Sequence, residues 1–139
     1  MTHLYFPFKA IHFDGLDNLS GQGWVNTELN VSYQIFPKTE DDELPILIRW
    51  SYRIKTDEDV VVFSYIGETK YLLIFEQNEE PEEDIKRLIN GAHLQFEVYF
   101  EEKTVNTPLQ GYTTGSLRDE SIKQLIEDII EIARKEGLL

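Results

Sequence analysis

The sequence predicts an α+β fold, an antiparallel sheet of four to five strands followed by two or three helices packed on one face. Three observations predict it. Apolar and polar residues alternate from Val25 to Ile35 and again from Leu44 to Ile54, a period that a half-buried strand explains. From Val60 to Phe75 apolar residues occupy both parities. The last third carries Ile122, Leu125, Ile126, Ile129, Ile130 and Ala133 at helical spacing, the mark of one buried helix face.

Taken in order, Tyr5 to Phe13 reads as a strand whose register slips near Lys9. Gly21-Gln22-Gly23 is a turn. In the next strand Val25, Thr27, Leu29, Val31, Tyr33 and Ile35 point one way, and Asn26, Glu28, Asn30, Ser32 and Gln34 the other. After the polar turn Pro37 to Glu43 the alternation restarts in even register, with Leu44, Ile46, Ile48, Trp50, Tyr52 and Ile54 on one side. The pair is an antiparallel hairpin with one wet face. Lys55 to Asp59 forms a charged turn. Gly67 marks either a hairpin turn or a bulge within one long strand. Pro81, Glu82 and Glu83 open a helix, with acids placed where the helix dipole favours them, and Asn90-Gly91 is its stop signal. Ala92 to Val105 suits a strand (Leu94, Phe96, Val98, Phe100) and a helix (Ala92, Phe96, Tyr99, Phe100, Lys103) equally. Ser116 with Asp119 resembles a capping box before the last helix, which ends at Gly137.

The 139 residues form a single domain, 1–139, near the commonest domain size. No cysteine is present, which excludes disulfides, thiolate metal sites and a cysteine nucleophile. No apolar run approaches the roughly 20 residues needed to span a bilayer, and Met1 to Phe13 does not resemble a signal peptide. The expected location is cytoplasmic, where the sequons at Asn18 and Asn30 have no meaning. Of the net charge of −13, seventeen acids against six bases lie between 40 and 102. Such a chain lacks the basic face that nucleic acid requires, and an anionic membrane is disfavoured too. A basic protein partner is attracted.

A search for chemistry is mostly negative. His3, His12 and His93 lie far apart, without ligand spacing. The acidic runs Glu40-Asp41-Asp42-Glu43 and Asp57-Glu58-Asp59 lack the spaced oxygens of a calcium loop. Gly111 to Ser116 precedes a helix and could hold an anion, and no serine sits in a nucleophile elbow. No catalytic residue, metal or cofactor is expected. What remains is surface. Val61, Phe63, Tyr71, Leu73 and Phe75 are expected to face the helices. The opposite parity, Val60, Val62, Ile66, Leu72 and Ile74, joined by Trp24, is then an apolar face free to bind a partner. Glu40, Asp41, Asp42, Glu43, Asp57, Glu58 and Asp59 are expected to form its acidic rim.

Several segments together resemble the SecB export chaperones. Phe8-Lys9-Ala10-Ile11-His12-Phe13-Asp14 is similar to the family's first strand, and Trp24 with Val25 to Leu29 to its second. Val62 to Gly67 through Tyr71 to Phe75 resembles its third-to-fourth strand region, and Glu82 to Leu88 its connector helix. The family's Cys-Pro is missing, and Phe96-Glu97-Val98-Tyr99 stands where its main helix begins Pro-Tyr-Ala-Arg. The resemblance implies an antiparallel sheet followed by helices, no cofactor, homo-oligomeric assembly and polypeptide clients. Three functions are therefore open: a non-enzymatic holdase binding unfolded or basic polypeptides through an apolar groove with an acidic rim, an acidic immunity or inhibitor protein capping one basic partner, and a small-ligand module built on Gly111 to Ser116.

Overall fold

The computed structural model describes residues 1–19, 23, 25–76 and 79–139. Five strands, β1 (Thr2–Tyr5), β2 (Lys9–Asp14), β3 (Val25–Ile35), β4 (Leu44–Thr56) and β5 (Val61–Ile74), precede two helices, α1 (Glu82–Thr104) and α2 (Asp119–Lys135). All strand pairings are antiparallel. β3, β4 and β5 lie side by side, and β1 and β2 share the far edge of β5.

The register of β3 on β4 is unbroken from Val25↔Thr56 to Ile35↔Ile46. The odd side of β3 and the even side of β4 therefore meet on one face, as the two alternations require. On that face Leu44, Ile46, Ile48, Trp50, Tyr52 and Ile54 are buried, joined from β5 by Phe63, Tyr65, Tyr71 and Leu73. α1 lays Ile85, Leu88, Ile89, Ala92, Phe96 and Phe100 onto it, and α2 adds Leu125, Ile129, Ile130 and Ala133. Tyr33 of β3 donates its hydroxyl hydrogen bond to the Asp128 carboxylate of α2. The result is a two-layer domain with both helices on one side of the sheet.

The structure departs from the sequence expectations at several points. The first strand is two pieces, separated by Phe6-Pro7-Phe8, and the register shift falls between Ala10 and His12. Gly67 is neither turn nor bulge: β5 runs straight through it, opposite Trp50. Asn90-Gly91 does not stop α1. The helix continues to Thr104 because its buried face runs on through Ala92, Phe96 and Phe100, while Gly91 is exposed. That resolves 92–104 as helix. The capping box does not form, since Arg118 is the residue before α2 and no side chain caps it. Phe63, Tyr71 and Leu73 face the helices as expected, but Val61 is exposed where the β4–β5 register shifts beside Lys55, and Phe75 lies half-buried beyond the strand.

Candidate functional site

Because Tyr65 and Leu73 point into the core, Val62, Ile66, Leu72 and Ile74 project from the other side of β5. Among the described residues neither α1 nor α2 lies on this outer face. Each of the four is half-buried; Val62 also packs against the core and is bordered by the 3-10 turn Leu16–Leu19, whose Asn18 side chain donates to the Val62 carbonyl at 3.2 Å. Strand pairing extends the patch: Leu4 and Pro45 flank Leu72, and Leu47 sits opposite Lys70. Leu4, Phe6 and Ile11 are exposed, and the Lys70 ammonium lies 5.2 Å over the Phe6 ring. Val60 does not share the face in the way expected, since it precedes β5 and is exposed in the turn. Trp24 lies outside the described residues.

The acidic residues do not encircle this face. Glu40–Glu43 occupy the β3–β4 turn and Asp57–Asp59 the β4–β5 turn, separated by the thirteen residues of β4. The ground between them carries Lys9, Arg49, Arg53, Lys55 and Lys70 against Asp14, Glu28 and Glu68. Arg49 Nε donates to Glu68 Oε1 at 2.9 Å, and Lys55 Nζ sits 3.1 Å from Glu28 Oε2. On a chain of net charge −13, the outer sheet face is locally net positive.

The helix side holds a polar cluster that the sequence reading missed. His93 stacks on Trp50, with centroids 5.1 Å apart. Its Nε2 lies 3.4 Å from Thr114 Oγ1 and 3.7 Å from Glu97 Oε1. The Thr114 backbone N–H donates to Glu97 Oε1 at 2.8 Å, and its hydroxyl donates to the same oxygen. The Gly111–Ser116 loop therefore does hold an anion, and the anion is the chain's own carboxylate. The i, i+4 spacing of His93 and Glu97 was the sequence signal available. Among the described residues no group of three potential ligands could hold a metal ion, and no helix is long and apolar enough to cross a membrane. A separate groove of ≈ 850 Å³ runs between α1 and α2 over Ile122, Ile126 and Ile130. Its rim alternates in sign, with Lys135 Nζ 3.1 Å from Glu131 Oε1, so it shows no preference for charge.

Burial lowers the His93 pKa below the ordinary imidazole value of 6.5, and the nearby Glu97 carboxylate offsets this only in part. The native state thus takes up this proton less readily than the unfolded chain. His93 costs no stability above its ordinary pKa, and lowers stability as pH falls through that value towards the depressed one. Guanidinium unfolding of wild type and His93→Gln at pH 7.5 and pH 5.5 checks this, with the variant losing less stability on acidification. An equal loss in both proteins would contradict it.

No family model matches the sequence, and no curated protein matches it. Among solved structures the chain is similar to a SecB-like chaperone of Mycobacterium tuberculosis, in complex with a ChAD peptide from the HigA1 antitoxin. The two are 11% identical over 84% of this chain and 91% of that one, with a TM-score of 0.49. What this chain does has to be read from its own surface.

Proposed function

We propose that the chain is a non-enzymatic polypeptide-binding domain, a holdase of the SecB-like kind that takes extended apolar segments onto the outer face of its sheet. The observation that supports this is the bare face itself. Leu4, Leu47, Val62, Ile66, Leu72 and Ile74 share one side of a sheet whose other side carries both helices. Soluble proteins seldom leave such a patch without a partner. Each 100 Å² of apolar surface removed from water there contributes about 2.5 kcal/mol, from which the ordering of a flexible client subtracts. Binding is therefore broad and reversible rather than tight.

The charge pattern refines the client class. Lys9, Arg49 and Lys70 lie across the middle of the face, so segments that mix apolar with acidic residues fit it better than basic ones. The acidic turns stand at its two ends and keep the loaded protein soluble.

Suppression of aggregation of a denatured client, measured by light scattering, tests the proposal. Wild type is expected to suppress at stoichiometric amounts and to bind an apolar dye. Leu72→Asp, on the outer face, is expected to require about tenfold more protein, a loss of about 1.4 kcal/mol in binding, while its unfolding midpoint moves by only a few degrees. Failure of the wild type to bind either dye or client would remove the proposal.

A further inference from the structure

We infer that the outer sheet face selects by spacing: it takes an extended segment in which one acidic residue lies between two apolar ones, all on the same side of that segment. The inference rests on the proposed use of this face for polypeptides and adds what discriminates among them.

Along β5 the outward positions run Ile66, Glu68, Lys70 and Leu72. Charge gathers at the middle two. Lys9 of β2 lies opposite Glu68 on one side and Arg49 of β4 on the other, and Lys70 follows two residues along. Three cations therefore surround one carboxylate. That carboxylate is sunk between them: the Glu68 side chain is 17% exposed against 51% for Arg49, whose Nε donates to it at 2.9 Å. Lys70 is exposed, and its ammonium rests over the Phe6 ring. Among the described residues neither Lys9 nor Lys70 has an ion-pair partner. A cation over an exposed ring gains only about 0.5–1 kcal/mol, so Lys70 remains free to take a carboxylate.

Apolar residues close both ends of this cationic centre. Leu72, flanked by Leu4 and Pro45, stands at one end, Ile66 at the other, and Leu47 sits opposite Lys70. Leu72 and Ile66 are six residues apart, about 20 Å at the rise of a strand. An extended segment laid along β5 has the same rise and the same alternation. Its first and seventh residues then meet the apolar ends, and its third and fifth meet the cations. An acidic residue at either place finds Lys70 or the Lys9–Arg49 pair, whichever way the segment runs. A basic residue there meets like charge, since the one carboxylate is already held. The acidic turns begin four residues from Leu47 and eight from Arg49, about 14 Å and more along β4. That is beyond the roughly 8 Å over which charge acts at physiological salt, so they do not cancel the centre.

Amide chemical shifts at Glu68, Lys70 and Leu72, followed while end-capped heptapeptides are added to the full chain, test the spacing. Leu-Thr-Asp-Thr-Ser-Thr-Leu is expected to bind about tenfold more tightly at low salt than the same peptide with asparagine for aspartate. The gap is expected to close in about 1 M salt. Aspartate moved to the second position points away from the face and is expected to bind no better than asparagine. Lys70→Ala is expected to shrink the gap to about threefold or less. Glu68→Gln removes the competing carboxylate and is expected to widen it, whereas Asp59→Asn, an equal change of charge in a turn, leaves it unchanged. Laurate, an apolar anion without a backbone, is expected to bind about tenfold or more weakly than the aspartate peptide. Equal binding of the aspartate and asparagine peptides overturns the inference and leaves polypeptide binding standing. So does an aspartate that works equally well at the second position, or laurate held as tightly as peptide. Neither peptide binding, the outcome if a second copy covers the face, removes the inference together with the reading it rests on.

Discussion

Phe96→Ala is expected to destabilise the domain by about 3–5 kcal/mol, the usual range for removing a buried phenylalanine. Phe96 is 0% exposed and sits where the two layers meet. Its ring stacks on Tyr65 at a centroid distance of 4.0 Å and an interplanar angle of 5°, and touches Trp50 and Phe8 at 6.2 and 6.3 Å. Tyr65 Oη donates to the Phe96 carbonyl at 2.9 Å, and burial raises the pKa of that phenol, so it remains a protonated donor. Truncation removes the ring from three aromatic neighbours that cannot collapse together, because β4, β5 and the β1–β2 link hold them apart. Total stabilities are only about 5–15 kcal/mol, so the loss is a large share. A fall in the unfolding midpoint of roughly 10–20 °C follows. Leu94→Ala, 63% exposed on the same helix, is expected to stay within about 0.5 kcal/mol of wild type. Denaturant unfolding of both variants measures the contrast, and a Phe96→Ala cost near that of Leu94→Ala would mean that the ring does not join the layers.

The parts of the fold legible in the sequence were those in which one face is wet and the other dry. β3 and β4 meet that condition, and their alternation set element, register and inner face together. β5 carries apolar residues on both sides, so its parity was legible but its partner layer was not. The misread signals were local breakers overruled by distant contacts. Asn90-Gly91 looks like a helix stop, but the buried face of α1 continues for three further turns past it, which outweighs the roughly 1 kcal/mol that an exposed glycine costs a helix. Ser116 looks like a cap, but Thr114 is bound to Glu97 of α1 and the chain is still extended at Arg118. That tether joins residues seventeen apart, and no local pattern carries it.

The apolar members of the outer face were legible for the same reason as the strands, by parity. Val62, Ile66, Leu72 and Ile74 needed only the pleat of β5. Their surroundings were legible only in part, because Lys70 shares their parity on β5 while the other cations beside them come from β2 and β4 through pairing. Lys9 meets Glu68 and Arg49 meets Glu68 only once β5 lies between those strands. The acidic runs supply seven of the seventeen acids between 40 and 102 but belong to turns, and the sheet face between them has the opposite sign.

Gly67→Ala is expected to destabilise the domain by about 1–3 kcal/mol, the usual cost of overpacking, although alanine is intrinsically better than glycine in a strand by roughly 0.5–1 kcal/mol. Gly67 lies on the inner face of β5, and a Cβ there would come within 2.4 Å of Phe8 Cζ, 2.6 Å of Phe8 Cε2 and 3.1 Å of Phe96 Cδ1. The tip of a lone phenylalanine could swing aside, but Phe8 is held, its ring 5.6 Å from Tyr99 and edge-on to Phe96. Phe8 is also the link between β1 and β2, so displacing it loosens the N-terminal edge from β5. Amide hydrogen exchange is expected to quicken at Leu4, Ala10 and Phe13 in the variant, while β4 stays protected. Phe8→Ala removes the obstacle, so the double variant should lose less than the sum of the two single losses, a coupling that only touching residues show. Additive losses, or a neutral Gly67→Ala, would mean that the glycine is not there to seat Phe8.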